Sequence, residues 1–245
     1  MNQCQAAAFL QIKEITGIDP GAKVLDAPCG KGELTQALLE VGMDVLGVDI
    51  EVSETDAAGT AFGHADLNAE IPARSGAFDL VVSVEGIEHL ENPHLFLREA
   101  NRVLKRSGRL VLTTPNVISL RSRVRFMGSG FFHRDSVPLN EASRHPLHLI
   151  GLRTFPQLRY DLHTLGFHLE SVGSTHIKTV SYVYGIFVPW MFLYTLVAFR
   201  KEKDAEQRKR NREIFRSLYS RPLLFGENLV LVARKVDGLS EANQA

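Results

Sequence analysis

The chain has 245 residues, 44% hydrophobic and 23% charged, a globular composition that excludes a disordered or fibrous protein. Lysine plus arginine number 28 and aspartate plus glutamate 28, so no overall field steers the chain towards nucleic acid. Two cysteines, Cys4 and Cys29, cannot build a disulfide framework, and no basic stretch precedes a long apolar run at the N-terminus. A cytoplasmic protein of one or two domains is expected.

In chain order, Gln3 to Thr16 reads as a short amphipathic helix, punctuated by Gly17 and Pro20-Gly21. Lys23 to Asp26 is a buried strand, and a glycine-rich turn, Ala27 to Gly32, follows it. Glu33 to Val41 has helical spacing, with Leu34, Ala37, Leu38 and Val41 on one face. Asp44 to Val48 is a second strand ending at Asp49. A weak third strand lies near Ala61 to Ala65 and ends at Asp66. Phe78 to Val84 is a strongly apolar fourth strand.

Asn92-Pro93 supplies a helix cap and first residue. That helix runs to about Leu104 and is ended by Ser107-Gly108. Arg109 to Thr113 is a fifth strand, Asn116 to Phe132 a helix followed by a mobile loop, and Thr154 to Leu165 a helix closed by Gly166. Phe167 to Val172 and Asn228 to Arg234 are the sixth and seventh strands. Strands alternating with helices predict a doubly wound α/β fold, its parallel sheet covered on both faces. Residues 1–172 with 228–236 would form this domain, 173–227 a helical insertion and 237–245 a frayed tail.

A strand, a glycine turn and a helix bring backbone close to a nucleotide ligand, and Gly30 and Gly32 stand where a side chain would block it. Asp49 ends the second strand, where an acidic residue accepts from ribose hydroxyls. Asp66 ends the third, where a carboxylate can meet an adenine amine. A dinucleotide would suit this much equally well.

The stretches VLDAPCGKGELTQAL, VLGVDI, HADLN, FDLVVSVEGIEHLENP and RVLKRSGRLVLTTPN follow one another over about residues 20 to 116. As a set they resemble class I S-adenosylmethionine-dependent methyltransferases. The resemblance implies a Rossmann-like sheet of seven strands, the last antiparallel, with S-adenosyl-L-methionine as cofactor. Asp26 and the backbone from Ala27 through Cys29 and Gly30 to Gly32 would hold its methionine part. Asp49, with Ile50 beside it, would hold the ribose. Asp66 and Leu67 would frame the adenine, and Val84 and Glu85 would border the sulfonium. Pro28 departs from the family, many of whose members carry a glycine there; Cys29 is expected to pack rather than react.

Glu85, Glu88 and His89 form Glu-x-x-Glu-His directly after the fourth strand. In a helical turn they would share one face. The motif resembles the metal site of small-RNA 2′-O-methyltransferases, with His148 at the matching distance downstream, and ubiquinone-pathway O-methyltransferases carry a similar motif. Two readings stand. Glu85, Glu88, His89 and His148 could ligate Mg, Mn, Fe or Zn, which would lower the pKa of an acceptor hydroxyl. Alternatively the pocket is metal-free and His89 or His148 is the general base.

Val180 to Phe199 carries no charged side chain, is broken by Pro189 and is followed by basic residues. Residues 179–199 could form a peripheral membrane contact at the inner face of the membrane, a lid, or a homodimer surface. A single span ranks last, because it would separate the seventh strand from its sheet. Segments at this point in the superfamily often cover the acceptor site, which implies a lipid or aromatic acceptor. The expected reaction is O-methylation of a small or lipid-linked acceptor, a glycan hydroxyl first and a quinone or phenol second. A non-catalytic cofactor-binding module is the alternative.

Overall fold

The computed structural model describes residues 1–15, 19–51, 62–133, 137–142 and 147–236. Helix α1 (Gln3–Glu14) starts on a capping box: the Asn2 side chain accepts from backbone N–H groups, and Gln5 returns the bond. Cys4, Ala8 and Ile12 recur every fourth residue, and that stripe is buried.

Strands β1 (Lys23–Asp26), β2 (Asp44–Asp49), β3 (Phe62–His64), β4 (Phe78–Val84), β5 (Leu104–Pro115), β6 (Phe167–Ser174) and β7 (Asn228–Lys235) form one sheet in the order β3-β2-β1-β4-β5-β7-β6. Pairing is parallel from β3 to β5, and β7 runs antiparallel between β5 and β6. The order reverses between β1 and β4, which opens a crevice at their carboxyl ends.

Alternate strand residues feed two apolar layers. On one face Val24, Val45, Leu80 and Val82 pack with Ala8 and Ile12 of α1 and with Leu34 and Leu38 of α2 (Glu33–Glu40). On the other face Leu25, Val81, Leu110 and Leu112 meet Phe96, Leu97, Ala100 and Val103 of α3 (Pro93–Val103). Phe155, Leu158 and Leu162 of α5 (Phe155–Thr164) join that layer. Between these helices α4 (Leu120–Ser129) follows β5 and is capped by Ser119.

Most elements fall where the apolar spacing predicts. Among the boundaries that differ, β5 begins at Leu104 directly after α3 ends at Val103, so Ser107-Gly108 is not a helix stop. Ser107 takes a left-handed φ of 60° inside the strand, where the β4–β5 pairing slips register. His94, at the start of α3, pairs through Nε2 with buried Asp161 at 2.9 Å. The 237–245 tail lies outside the described residues.

The 173–227 region comprises the end of β6, a 3₁₀ segment (Thr179–Phe187), α6 (Val188–Phe199), α7 (Ala205–Leu218) and α8 (Arg221–Phe225). Ser174 pairs with Leu229, and Asn228 with Pro115 at the end of β5. The insertion therefore leaves the sheet at the carboxyl end of the parallel strands.

Candidate active site

The crevice at the switch point holds a cavity of about 950 Å³, large enough for a nucleoside and an acceptor together. Asp26, Cys29, Gly30, Asp49, Ile50, Asp66, Leu67, Val84, Glu85, His89 and His148 all line it. Three expected residues do not. Ala27 is wholly buried, its N–H bonded to the Val82 carbonyl at 2.9 Å. Gly32 caps α2 at a φ of 78°, and a side chain there would strike the Phe62 ring. Glu88 turns inward, where the Thr114 hydroxyl donates to its Oε2 at 3.1 Å.

Hydrogen bonding inside the protein determines what the glycine turn offers. Cys29 N–H bonds the Val48 carbonyl, Gly30 N–H bonds Asp49 Oδ2, and Gly32 N–H bonds the Cys29 carbonyl, each at 2.9 Å. These donors are spent on building the turn. That corrects the picture of a backbone N–H cradle. The ligand surface is instead an acceptor surface made by the Asp26 and Asp49 carboxylates, which suits a cofactor whose methionine end carries an ammonium and a sulfonium. Gly30 has a φ of 54° and open space where a side chain would stand, so backbone meets the ligand there.

Each Asp49 oxygen accepts one backbone N–H, Oδ2 from Gly30 and Oδ1 from Glu51 at 3.0 Å. A carboxylate oxygen has capacity for two bonds, so both can also accept from ribose hydroxyls. Asp26 is buried and takes the Thr35 hydroxyl on Oδ2 at 2.7 Å. Burial is the main cause that pushes its pKa up to about 7; the Thr35 bond opposes the rise and nearby Asp49 adds to it. Burial, with Asp26 and Asp49 adding, pushes the Cys29 thiol up to about 12, a protonated packing group rather than a nucleophile. Pro28 is accommodated because it faces Gly86, where any Cβ would overlap the proline ring. These residues fit S-adenosylmethionine.

The motif after β4 does not form the expected helical turn. Glu85 has a left-handed φ of 49°, and Ile87–His89 is a short 3₁₀ turn. Glu85 accepts from Asn228 Nδ2 at 3.3 Å, Glu88 faces Thr114, and His89 faces the 147–151 loop. Glu85, Glu88 and His89 therefore turn to different partners. Among the described residues no group of three His, Cys, Asp or Glu side chains can hold a metal ion. No step through a metal is derived from them.

What the motif does build is a docking of two loops. His89 Nδ1 lies 3.2 Å from the His148 carbonyl, and Gly151 N–H bonds the Glu88 carbonyl at 2.8 Å. Any Cβ at Gly151 would press 2.7 Å from the Ile87 and Leu90 carbonyls. Gly151→Ala should thus push the 147–150 loop off the turn. Turnover is expected to fall about tenfold, from lost alignment. Calorimetric affinity for S-adenosylhomocysteine should stay within about twofold, since Gly151 touches none of the cofactor residues.

Sequence reasoning missed several wall residues. Asn2 and Gln5 reach the cavity from the capping box of α1, and Leu139, Asn140, Glu141, Leu147 and Ile150 close it from the loops after α4. No local pattern marks them; only packing brings them to the crevice. Within the insertion, no described residue lines the cavity. Outside the cavity, His133 lies 3.6 Å from buried Glu227, which Lys178 and Arg121 also engage.

Comparison with known proteins points to the same stretch. Residues 25–112 match the family described as Methyltransferase domain. A ubiquinone biosynthesis O-methyltransferase from Azorhizobium caulinodans is 34% identical over 104 residues, 39% of this chain and 41% of that protein. One from Pseudomonas aeruginosa is 33% identical over 105 residues, 39% of this chain and 45% of that protein. The chain thus spans less than half the length of these curated relatives. A SAM-dependent methyltransferase structure from Archaeoglobus fulgidus shares the fold at a TM-score of 0.55 and 18% identity, over 94% of each chain. Likeness and geometry meet on the same residues: residues 25–112 match a methyltransferase domain, and the crevice that they build has a lining that fits S-adenosylmethionine.

Proposed function

We propose that this protein methylates a hydroxyl oxygen, with a phenolic or quinol-type acceptor favoured over a glycan. The observation that carries the reading is the His89–His148 contact. A carbonyl can only accept, so the 3.2 Å contact makes His89 Nδ1 the protonated nitrogen and leaves Nε2 as the base of the neutral ring. His89 lines the cavity beside Val84 and Glu85, at the end of β4 where the reacting atoms would meet.

S-adenosylmethionine supplies a methyl group on a sulfonium, already a good leaving group. The oxygen–carbon bond forms as the sulfur–carbon bond breaks, and the hydroxyl proton passes to His89 Nε2. The protein's remaining task is alignment and exclusion of water. Leu90, Leu139, Leu147 and Ile150 give the acceptor side an apolar wall, while Asn140 and Glu141 supply polar groups. Such a wall fits an aromatic ring with an apolar substituent. The partial relatives named for ubiquinone biosynthesis support the same class.

The test is transfer of label from methyl-labelled S-adenosylmethionine to a panel of catechols, prenylated catechols and oligosaccharides. Label is expected on a phenolic oxygen. His89→Gln, which keeps a polar side chain of similar reach, should lower kcat by about a hundredfold or more. Its affinity for S-adenosylhomocysteine should stay near that of the parent. Cofactor binding without transfer to any hydroxyl would overturn the enzyme reading and leave a binding module; label on nitrogen or on a sugar would overturn the acceptor class.

A further inference from the structure

Thr179–Phe199 is, by length and composition, apolar enough to cross a bilayer, yet none of its most apolar window is buried. Pro189 stands where the 3₁₀ segment hands over to α6, and α6 has only 12 residues, about 18 Å of helix against about 30 Å of hydrocarbon. Both ends of the insertion also return to the same end of one sheet. The segment is therefore shaped to lie on a surface rather than to span one.

Its two faces differ. Phe192 and Phe199 of α6 pack on Phe215 of α7, Phe192 also meets Tyr219, and Tyr219 donates to the Thr195 hydroxyl at 2.9 Å. Arg123 of α4 anchors the pair from below, with its Nε on the Ile118 carbonyl and NH1 near Met191 Sδ. The outer face comprises Val183, Ile186, Trp190, Leu193, Tyr194 and Val197, and in α6 its members recur at helical spacing. Ile186 is 78% exposed, Val183 71%, Tyr194 69%, Trp190 66% and Leu193 60%. Scattered exposed apolar residues need no explanation, but a contiguous face of this kind marks a contact surface.

Charge and aromatic content identify the occupant. Residues 200–216 carry eight basic against four acidic side chains, in a chain whose total charge is zero. All eight basic groups are exposed, from Arg200 and Lys201 at the end of α6 to Arg216 in α7. Tryptophan and tyrosine beside leucine and isoleucine, flanked by lysine and arginine, match the interfacial zone of an anionic bilayer. A second copy of the same basic surface would be repelled.

We infer that the outer face of residues 183–197 seats this protein on an anionic lipid bilayer, apolar side chains in the acyl boundary and the Arg200–Arg216 cations on the headgroups. The face projects from the carboxyl end of the sheet, where the cavity also lies. Docking there holds the reacting end of the domain towards the membrane, within reach of an acceptor dissolved in or anchored to lipid. The inference does not depend on which hydroxyl is methylated.

Trp190 is the chain's one tryptophan, so intrinsic fluorescence reads the proposed contact directly. The full chain is mixed with vesicles of phosphatidylcholine, with or without phosphatidylglycerol, then floated on a density gradient. Flotation with the anionic vesicles and a blue shift of Trp190 emission are expected, with much weaker partition into phosphatidylcholine alone. Ile186→Ser with Leu193→Ser should lower partition at least tenfold. Arg200→Glu with Lys201→Glu should abolish the anionic preference. Unchanged S-adenosylhomocysteine binding shows that both variants are folded. Protein left at the bottom of the gradient with unmoved emission would overturn the inference. So would light scattering that shows a dimer with Trp190 already shielded in the absence of lipid.

Discussion

Asp49→Ala is expected to weaken S-adenosylhomocysteine binding about a hundredfold, read by isothermal titration calorimetry. Two ribose hydroxyls on one carboxylate are charge-assisted bonds of about 1.5–3 kcal/mol each, and a loss near 3 kcal/mol is about two decades in Kd. The same substitution removes the acceptors for Gly30 and Glu51 N–H, so the glycine turn loosens as the ligand contact disappears. Asp49→Asn keeps one acceptor oxygen and should fall between. Affinity left unchanged in Asp49→Ala would remove Asp49 from the ribose site and, with it, the placement of the cofactor.

The second large effect is in pH. Asp26 lines the cavity with its pKa pushed up to about 7, so below neutrality the apoprotein holds it protonated. A cationic ligand favours the carboxylate, and binding must therefore release a proton. Affinity for S-adenosylmethionine should tighten as pH rises towards 7, by up to about tenfold per unit, and level off above it. Stability of the apoprotein runs the other way. A carboxyl whose pKa is raised on folding stabilises the fold while it stays protonated. That contribution is lost as pH climbs from the ordinary 3.8 to about 7. The shift sets a ceiling of about 4 kcal/mol on the cost of ionising it in the fold.

Asp26→Asn still accepts from Thr35 and carries no charge. It should bind cofactor more weakly, with little pH dependence, and the apo variant should melt above the parent at about pH 8. His163, pushed down to about 4 chiefly by burial, contributes stability above its unfolded value that is lost in acid. The difference between parent and variant separates Asp26 from that background. An identical pH profile in both would show that another group titrates.

The elements were legible because each states its own periodicity. β1 and β4 were predicted at the bounds observed from their largely apolar residues, since strands buried on both faces need apolar side chains on both. Asp26, Gly30 and Asp49 were legible as site residues because strand ends in this topology converge on the crevice. The Glu-x-x-Glu-His motif misled because spacing assumes a regular helix. A left-handed Glu85 and a 3₁₀ turn send Glu88 into the core and leave only His89 facing the cavity with Glu85.

Composition and local pattern alone settled that this is a doubly wound α/β chain with a carboxylate-lined nucleotide crevice and one long uncharged segment. Tertiary structure decided the rest. It showed that the N–H groups of Cys29, Gly30 and Gly32 are consumed internally, that α1 with residues 139–141 and 147–150 walls the cavity, and that the most apolar window of residues 179–199 is unburied. The physical reason is the range of the forces involved. Side-chain alternation and capping act over a few residues and can be read along the chain. Which donors are already satisfied, and which apolar face finds a partner, depends on contacts between residues far apart in it.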